Sequence, residues 1–128
     1  MKDRPRAILL GMAKGDNMNK QEIFTKVKKH LLKQNKRATS ATGQCLYRTP
    51  EGLRCAAGCL IPKKLYDPDI EGKSFDCDSI RNLRAKLGVT SPSCVSLVRD
   101  LQGIHDCSKP EYWPMELAAL AKKRKLKS

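Results

Sequence analysis

The predicted fold depends on residues 44–62, which read QCLYRTPEGLRCAAGCLIP. Pro50 presets the backbone for the first central position of a type I turn, and Gly52 offers the left-handed residue of a bulge that follows such a turn. With that bulge, Thr49 faces Leu53, and apolar and charged side chains fall on opposite faces of the two flanking segments. The stretch therefore predicts a β-hairpin.

The two faces of this predicted hairpin differ in chemistry. One face carries the charged side chains of Arg48 and Arg54. The other face is apolar and is formed by Cys45, Tyr47, Leu53, Cys55 and Ala57. Because a two-stranded hairpin is only marginally stable on its own, we expect helices to cover its apolar face.

The chain contains six cysteines, none of them in a C-x-x-C pair. Cys45 and Cys55 are diagonal neighbours on the predicted hairpin, with backbones about 7–8 Å apart, which is long for a disulfide. The sequence also shows no clear secretory signal. We therefore expect free, buried thiols in a protein of the reducing cytoplasm.

A zinc site is the alternative role for these thiols. Cys55 and Cys59 are spaced like a pair of zinc ligands, and Cys45 is a candidate third ligand. The remaining side chains that could complete a tetrahedron are Cys77, Cys107, His30 and His105. Because only one closely spaced pair is present, packed thiols are the stronger prediction, and no cofactor is expected.

A basic helix is predicted on the amino-terminal side of the hairpin. Asn19 and Glu22 have the spacing of a capping box, which marks a helix start. An apolar face follows at helical spacing, formed by Ile23, Phe24, Val27 and Leu31. At 100° per residue, the opposite side collects a stripe of four lysines within roughly 80° of arc. These are Lys26, Lys29, Lys33 and Lys36.

The net charge of +13, from 26 Lys and Arg against 13 Asp and Glu, favours a polyanionic or acidic partner. Most of the excess lies in residues 18–43 and in residues 122–128. The first region has seven basic side chains and a single carboxylate, and the second has five basic side chains and none. The lysine stripe is therefore interpreted either as a phosphate-binding face or as a solvated surface that keeps the protein soluble.

Three more helices are predicted after the hairpin. Their start and stop signals are Asp78 or Ser79 with Gly88 for the first, Ser91-Pro92 with about Ile104 for the second, and Pro110 or Pro114 for the last. The predicted fold is thus α+β: an amino-terminal helix, a β-hairpin, and three helices packed on one hairpin face.

The chain is divided into one domain with two short extensions. Residues 18–121 form the single α+β domain, residues 1–17 a flexible arm or an extension, and residues 122–128 a basic tail. No apolar run approaches the ~20 residues that a membrane helix needs. The sequence does not indicate an oligomeric state.

The hairpin region also carries a family-like motif, CxYRxxxGxxCAxGxLIP, over Cys45 to Pro62, followed by Tyr66 and Glu71-Gly72. The motif resembles that of small uncharacterised proteins of phages and prophages, and the resemblance extends over about residues 18–121. It implies a virus-encoded accessory protein in the cytoplasm of the infected bacterium, with no catalytic residue to carry over. Such proteins usually have acidic residues after the motif, whereas this chain has Lys63-Lys64.

The predicted function is non-enzymatic binding of nucleic acid, or of a nucleoprotein complex, through a basic surface. No base-reading motif or catalytic constellation is present, so we expect little sequence specificity and no enzymatic activity. The predicted contact residues are Lys26, Lys29, Lys33, Lys36, Arg37, Arg48, Arg54, Lys122, Lys123 and Arg124.

Two alternative functions stay open. In one, the protein is a phage inhibitor or modulator of a host or defence protein, such as a nuclease, polymerase or CRISPR complex. Its basic face would then meet an acidic or nucleic-acid-binding surface of that protein. In the other, the protein is a small zinc-stabilised binding module.

Overall fold

Four α-helices carry the fold of residues 17–128, the part of the chain that this computed structural model describes. They are α1 (Lys20–Gln34), α2 (Arg81–Leu87), α3 (Pro92–Cys107) and α4 (Trp113–Lys123). Helix α1 packs against α3 and α4, which also pack against each other, whereas α2 packs against the short turn that precedes it. The predicted arm at residues 1–17 lies outside the described residues, apart from Asn17.

The start of α1 confirms the predicted capping box. The side chain of Asn19 accepts from the Glu22 amide at 2.8 Å, and the Glu22 carboxylate accepts from the Asn19 amide at 2.9 Å. The four predicted apolar residues are all fully buried: Ile23, Phe24, Val27 and Leu31. The helix ends earlier than the lysine stripe requires, because Asn35 adopts a left-handed conformation (φ 51°) and leaves Lys36 beyond the helix.

The α+β prediction is wrong, because the described part of the chain is helical and contains no β-sheet. Its β-type pairing amounts to two isolated bridges, one between Thr39 and Cys45 and one between Arg48 and Arg54. Five short 3₁₀ turns occur between and before the helices instead. They span Gly58–Leu60, Lys63–Leu65, Pro68–Ile70, Asp78–Ile80 and Pro110–Tyr112. Helices α3 and α4 therefore pack on α1, and α2 packs on the 3₁₀ turn before it, instead of all three covering a hairpin face.

The tight turn at the centre of the predicted hairpin does form. The Thr49 amide donates to the Leu53 carbonyl at 2.8 Å, and Gly52 has the expected positive φ of 93°. The bridge between Arg48 and Arg54 continues the predicted register by one residue. The hairpin prediction is therefore wrong in the length of the paired segments and not in the position of the turn.

The pairing stops after this bridge because other groups bind the backbone atoms that the next rung would join. That rung would run from the Tyr47 amide to the Cys55 carbonyl. The Tyr47 amide instead donates to the Glu71 carboxylate at 2.8 Å, and the Cys55 carbonyl accepts from the Cys59 amide at 3.0 Å. Both groups are thus satisfied without a longer ladder.

Beyond Arg54, the chain coils into the Gly58–Leu60 turn. The Cys59 amide donates to the Cys55 carbonyl at 3.0 Å, and the Gly58 amide donates to the Cys55 sulfur at 3.2 Å. This coil brings Gly58 against the backbone of Tyr47, where an added Cβ would lie 2.0 Å from the Tyr47 carbonyl oxygen. Only glycine permits this close approach.

The later helices follow the predicted signals with shifted ends. Ile80, rather than Asp78 or Ser79, is the N-cap of α2, which ends before the left-handed Gly88 as predicted. Ser91 caps α3 by accepting from the Cys94 amide at 3.2 Å. Helix α3 continues to Cys107 instead of about Ile104, and α4 begins at Trp113, between the two predicted prolines.

The carboxy-terminal residues contact α1. Helix α4 ends at Lys123, two residues after the predicted domain boundary at residue 121. The side chain of Gln21 in α1 makes two hydrogen bonds to the backbone of Lys127, accepting from its amide at 2.8 Å and donating to its carbonyl at 2.9 Å. The backbone near the end of the chain therefore lies beside the first turn of α1.

Candidate functional site

Three lysines of the predicted stripe lie together on the outer side of α1. Lys26, Lys29 and Lys33 are exposed and fall within about 60° of arc. None of them forms an ion pair with a carboxylate among residues 17–128. The same side of α1 also carries Glu22, but its carboxylate is engaged by the Asn19 amide in the capping box.

Arg54 lies beside this stripe because α1 holds its backbone. The Arg54 carbonyl accepts from the His30 ring at 2.8 Å and from the Gln34 side chain at 2.9 Å. Arg48 is the bridge partner of Arg54, and opposed residues in a bridge project from the same side of the pair. Both arginines are half-buried.

We name these five residues the basic face: three lysines on one side of α1, and two arginines on the adjoining segment whose backbone α1 holds at Arg54. Its members are Lys26, Lys29, Lys33, Arg48 and Arg54. Helix periodicity predicts the three lysines. The two arginines join them through the contacts of His30 and Gln34 with the Arg54 backbone, which no local sequence pattern indicates.

The other predicted contact residues lie elsewhere or are engaged. Arg37 donates through Nε to the Ser108 carbonyl at 3.2 Å, and Arg124 is ion-paired with Asp100 at 2.6 Å. Lys122 and Lys123 are exposed at the end of α4. The structure therefore groups half of the ten predicted residues and separates the rest.

His30 ties the stability of this region to pH. Burial lowers the pKa of His30 below its usual value of 6.5, more than the hydrogen bond to the Arg54 carbonyl raises it. Below pH 6.5, the unfolded chain therefore binds a proton at His30 more readily than the folded chain does. The contribution of neutral His30 to the free energy of unfolding is present above pH 6.5 and is lost as the pH falls.

We expect the free energy of unfolding to decrease from pH 7 to pH 5, with His30 contributing at most about 1.4 kcal/mol per pH unit, the limit for one proton. Urea denaturation at a series of pH values measures this dependence. His30→Gln retains a donor for the Arg54 carbonyl and is expected to give a flatter profile than the wild-type protein. Identical profiles for the two proteins would contradict the assignment to His30.

A second cluster of polar side chains joins α3 to the segment that precedes the 44–62 stretch. The Ala38 amide donates to Nε2 of His105 at 3.0 Å, so the proton of the neutral ring lies on Nδ1. Nδ1 donates to the Asp106 carboxylate at 2.8 Å, and the Gln102 side chain donates to the same oxygen at 2.7 Å. The ring of His105 also stacks on Trp113, with 5.6 Å between ring centroids.

The three predicted zinc ligands are not brought together. The sulfur of Cys55 accepts from the Gly58 amide, and that of Cys59 donates to the Ala56 carbonyl at 3.1 Å. Cys45 lies instead with His105 and Asp106, where one donor atom of each residue is within 4.8 Å of the others. Asp106 is not among the predicted ligands, since no ligand spacing in the sequence links it to Cys45.

This second cluster is occupied by protein hydrogen bonds. A metal ion bound through either nitrogen of His105 would have to displace the Ala38 amide or the Asp106 carboxylate. Burial and the neighbouring Asp106 raise the pKa of Cys45 to about 11, so its thiol stays protonated near neutral pH. Burial opposes ionisation of Asp106, but the hydrogen bonds from His105, Cys45 and Gln102 outweigh it and lower the pKa.

A cleft of about 670 Å³ opens beside Arg48 of the basic face. Arg48, Lys63 and Tyr66 line it, together with Glu71. The Tyr66 hydroxyl donates to the Glu71 carboxylate at 2.6 Å, and burial together with this bond raises the pKa of Tyr66 to about 12. Tyr66 and Glu71 belong to the motif, whereas Lys63 is the residue at which this chain departs from it.

Comparisons with protein-family models, with curated proteins and with solved structures give no match for this chain. The likeness to phage and prophage proteins therefore stays a prediction that the motif carries. No helix in residues 17–128 combines the length and the apolar character that crossing a bilayer requires.

Proposed function

We propose that the protein is a non-enzymatic, phage-type accessory protein that binds nucleic acid through the basic face with little sequence specificity. The observation that carries this proposal is the exposure of Lys26, Lys29 and Lys33 on one side of α1, with no ion pair to a described carboxylate. Arg54 and Arg48 extend this surface sideways. A row of exposed cations outside ion pairs is the kind of surface that phosphates of a nucleic-acid backbone bind.

The polar clusters favour a binding role over a catalytic one. A thiol acts as a nucleophile when it ionises readily, and burial raises the pKa of Cys55 and Cys59 to about 12. Both nitrogens of the buried His105 are held by protein partners, so this ring is not free to act as a base for Cys45. The motif resemblance adds the expectation of a role in the infected bacterial cytoplasm.

Titration of two labelled 20-base-pair duplexes of unrelated sequence over 50–200 mM salt tests the proposal. Four or five phosphate contacts predict a slope of log K against log salt of about −3 to −5, with similar affinities for the two duplexes. An affinity that does not change with salt, or no binding of either duplex and of its separated strands at 50 mM salt, would exclude the proposal. A stoichiometric host protein that stays bound after nuclease treatment would instead favour the inhibitor alternative.

A further inference from the structure

The cleft beside Arg48 has the parts of a stacking site. Its volume of about 670 Å³ exceeds the ~300 Å³ at the lower end of small-molecule sites, and it opens to solvent between the 49–52 turn and Tyr66. Its charged lining side chains are two cations, Arg48 and Lys63, and two carboxylates, Glu51 and Glu71. The one aromatic side chain that lines it is Tyr66.

The ring of Tyr66 is held in place before any ligand arrives. Its hydroxyl donates to the Glu71 carboxylate at 2.6 Å, and the same carboxylate accepts from the amides of Tyr47 and Arg48. Glu71 therefore fixes Tyr66 to the backbone that carries Arg48. A fixed aromatic ring loses little conformational freedom when a flat group stacks on it.

Arg48 marks the ring face on which a flat group would stack. Its guanidinium carbon lies over the Tyr66 ring, 5.9 Å from the ring centre, at the outer limit of a cation–π contact. A base that stacks on this face would displace the guanidinium group from it, and a long side chain makes such rotamer changes readily on binding.

We propose that this cleft receives one base of a single-stranded nucleic acid, stacked on Tyr66, while the neighbouring phosphates lie on the lysines of the basic face. The inference rests on the proposed function. It adds that the protein prefers single strands, since the bases of a duplex are paired and stacked with one another. Arg48 connects the two parts of the site. Its side chain lines the cleft, and its backbone forms the isolated β-bridge with Arg54, which lies beside α1.

The test compares the affinities of the protein for three 12-nucleotide probes at 100 mM salt. The probes are oligo(dT), oligo(rU) and an abasic strand with the same number of phosphates. We expect both strands with bases to bind at least about fivefold more tightly than the abasic strand, since stacking on an aromatic side chain typically contributes at least that factor. Tyr66→Leu is expected to reduce the affinity for oligo(dT) to that for the abasic strand. The affinity of the Tyr66→Leu variant for the abasic strand is expected to equal that of the wild-type protein.

Two further variants control for the fold and for the ring. Tyr66→Phe keeps the ring but loses its hydrogen bond to Glu71, so it is expected to bind oligo(dT) more tightly than Tyr66→Leu and less tightly than the wild-type protein. Tyr112→Leu removes an exposed tyrosine, 48% accessible, at the start of α4 and is expected to have no effect. Salt-dependent binding of the three probes with equal affinity would overturn the stacking site and leave the proposed function intact, whereas no binding of any nucleic acid would remove both.

Discussion

Gly58→Ala is expected to destabilise the protein by about 3 kcal/mol or more, or to prevent folding. The new Cβ would lie 2.0 Å from the carbonyl oxygen and 2.8 Å from the carbonyl carbon of Tyr47, and these are backbone atoms that no change of rotamer can move. Relief of the contact would displace the segment whose amides bind Glu71. Urea denaturation followed by circular dichroism measures the loss.

Gly103→Ala is the matched control for this substitution. Gly103 lies within α3, and a Cβ there meets no atom within 4 Å. Since alanine favours a helix over glycine by about 1 kcal/mol, this variant is expected to be as stable as the wild-type protein or more so. Equal stability of the two alanine variants would show that the close approach of Gly58 to Tyr47 is not a constraint on the fold.

Replacement of Lys26, Lys29 and Lys33 by glutamine is expected to weaken duplex binding by roughly 10²- to 10³-fold at 100 mM salt. Each lysine that no longer neutralises a phosphate reduces the salt slope by about 0.9. The three side chains are exposed on α1, and glutamine has a similar helix propensity, so the fold is expected to be retained. Fluorescence anisotropy over the same salt series measures both quantities.

A second triple variant separates the basic face from total charge. Lys73, Lys86 and Lys109 are exposed and lie outside α1, and their replacement by glutamine lowers the net charge by the same three units. This control is expected to retain most of the affinity and of the salt slope. Similar losses in the two triple variants would show that overall charge, rather than the surface of α1, attracts the nucleic acid.

Local signals in the sequence were sufficient for the helices. The capping box of Asn19 and Glu22, the Ser91 cap and the left-handed Gly88 each act within four residues of the helix end that they define. Such interactions depend on residues close in sequence, so a single sequence contains the information to predict them. The same holds for the tight turn around Gly52.

The hairpin prediction is wrong because of residues that are distant in sequence. Whether the segments around the turn become strands depends on what binds their amides, and here Glu71 binds the Tyr47 amide from 24 residues away. Alternation of apolar and charged residues is the same for an isolated bridge as for a ladder. The pattern therefore predicted the register correctly and the extent of the pairing wrongly.

In the candidate site too, local patterns predict some residues, whereas the positions of others depend on contacts distant in sequence. Periodicity along α1 predicted the lysines, and it failed only at Lys36, where the left-handed Asn35 ends the helix. The association of Cys45 with Asp106 and the position of Tyr66 beside Arg48 depend on tertiary packing. No spacing rule relates such residues, which is why sequence analysis grouped Cys45 with Cys55 and Cys59 instead.

The anchoring of Arg54 by its backbone has a thermodynamic consequence. His30 and Gln34 hold the Arg54 main chain and leave its guanidinium group out of these bonds. The loop cation is thus positioned by the same helix that supplies the lysines. In the proposed function, a polyanion would therefore meet a backbone that folding has already ordered, so association would lose little additional backbone entropy and its free energy would come mainly from counterion release.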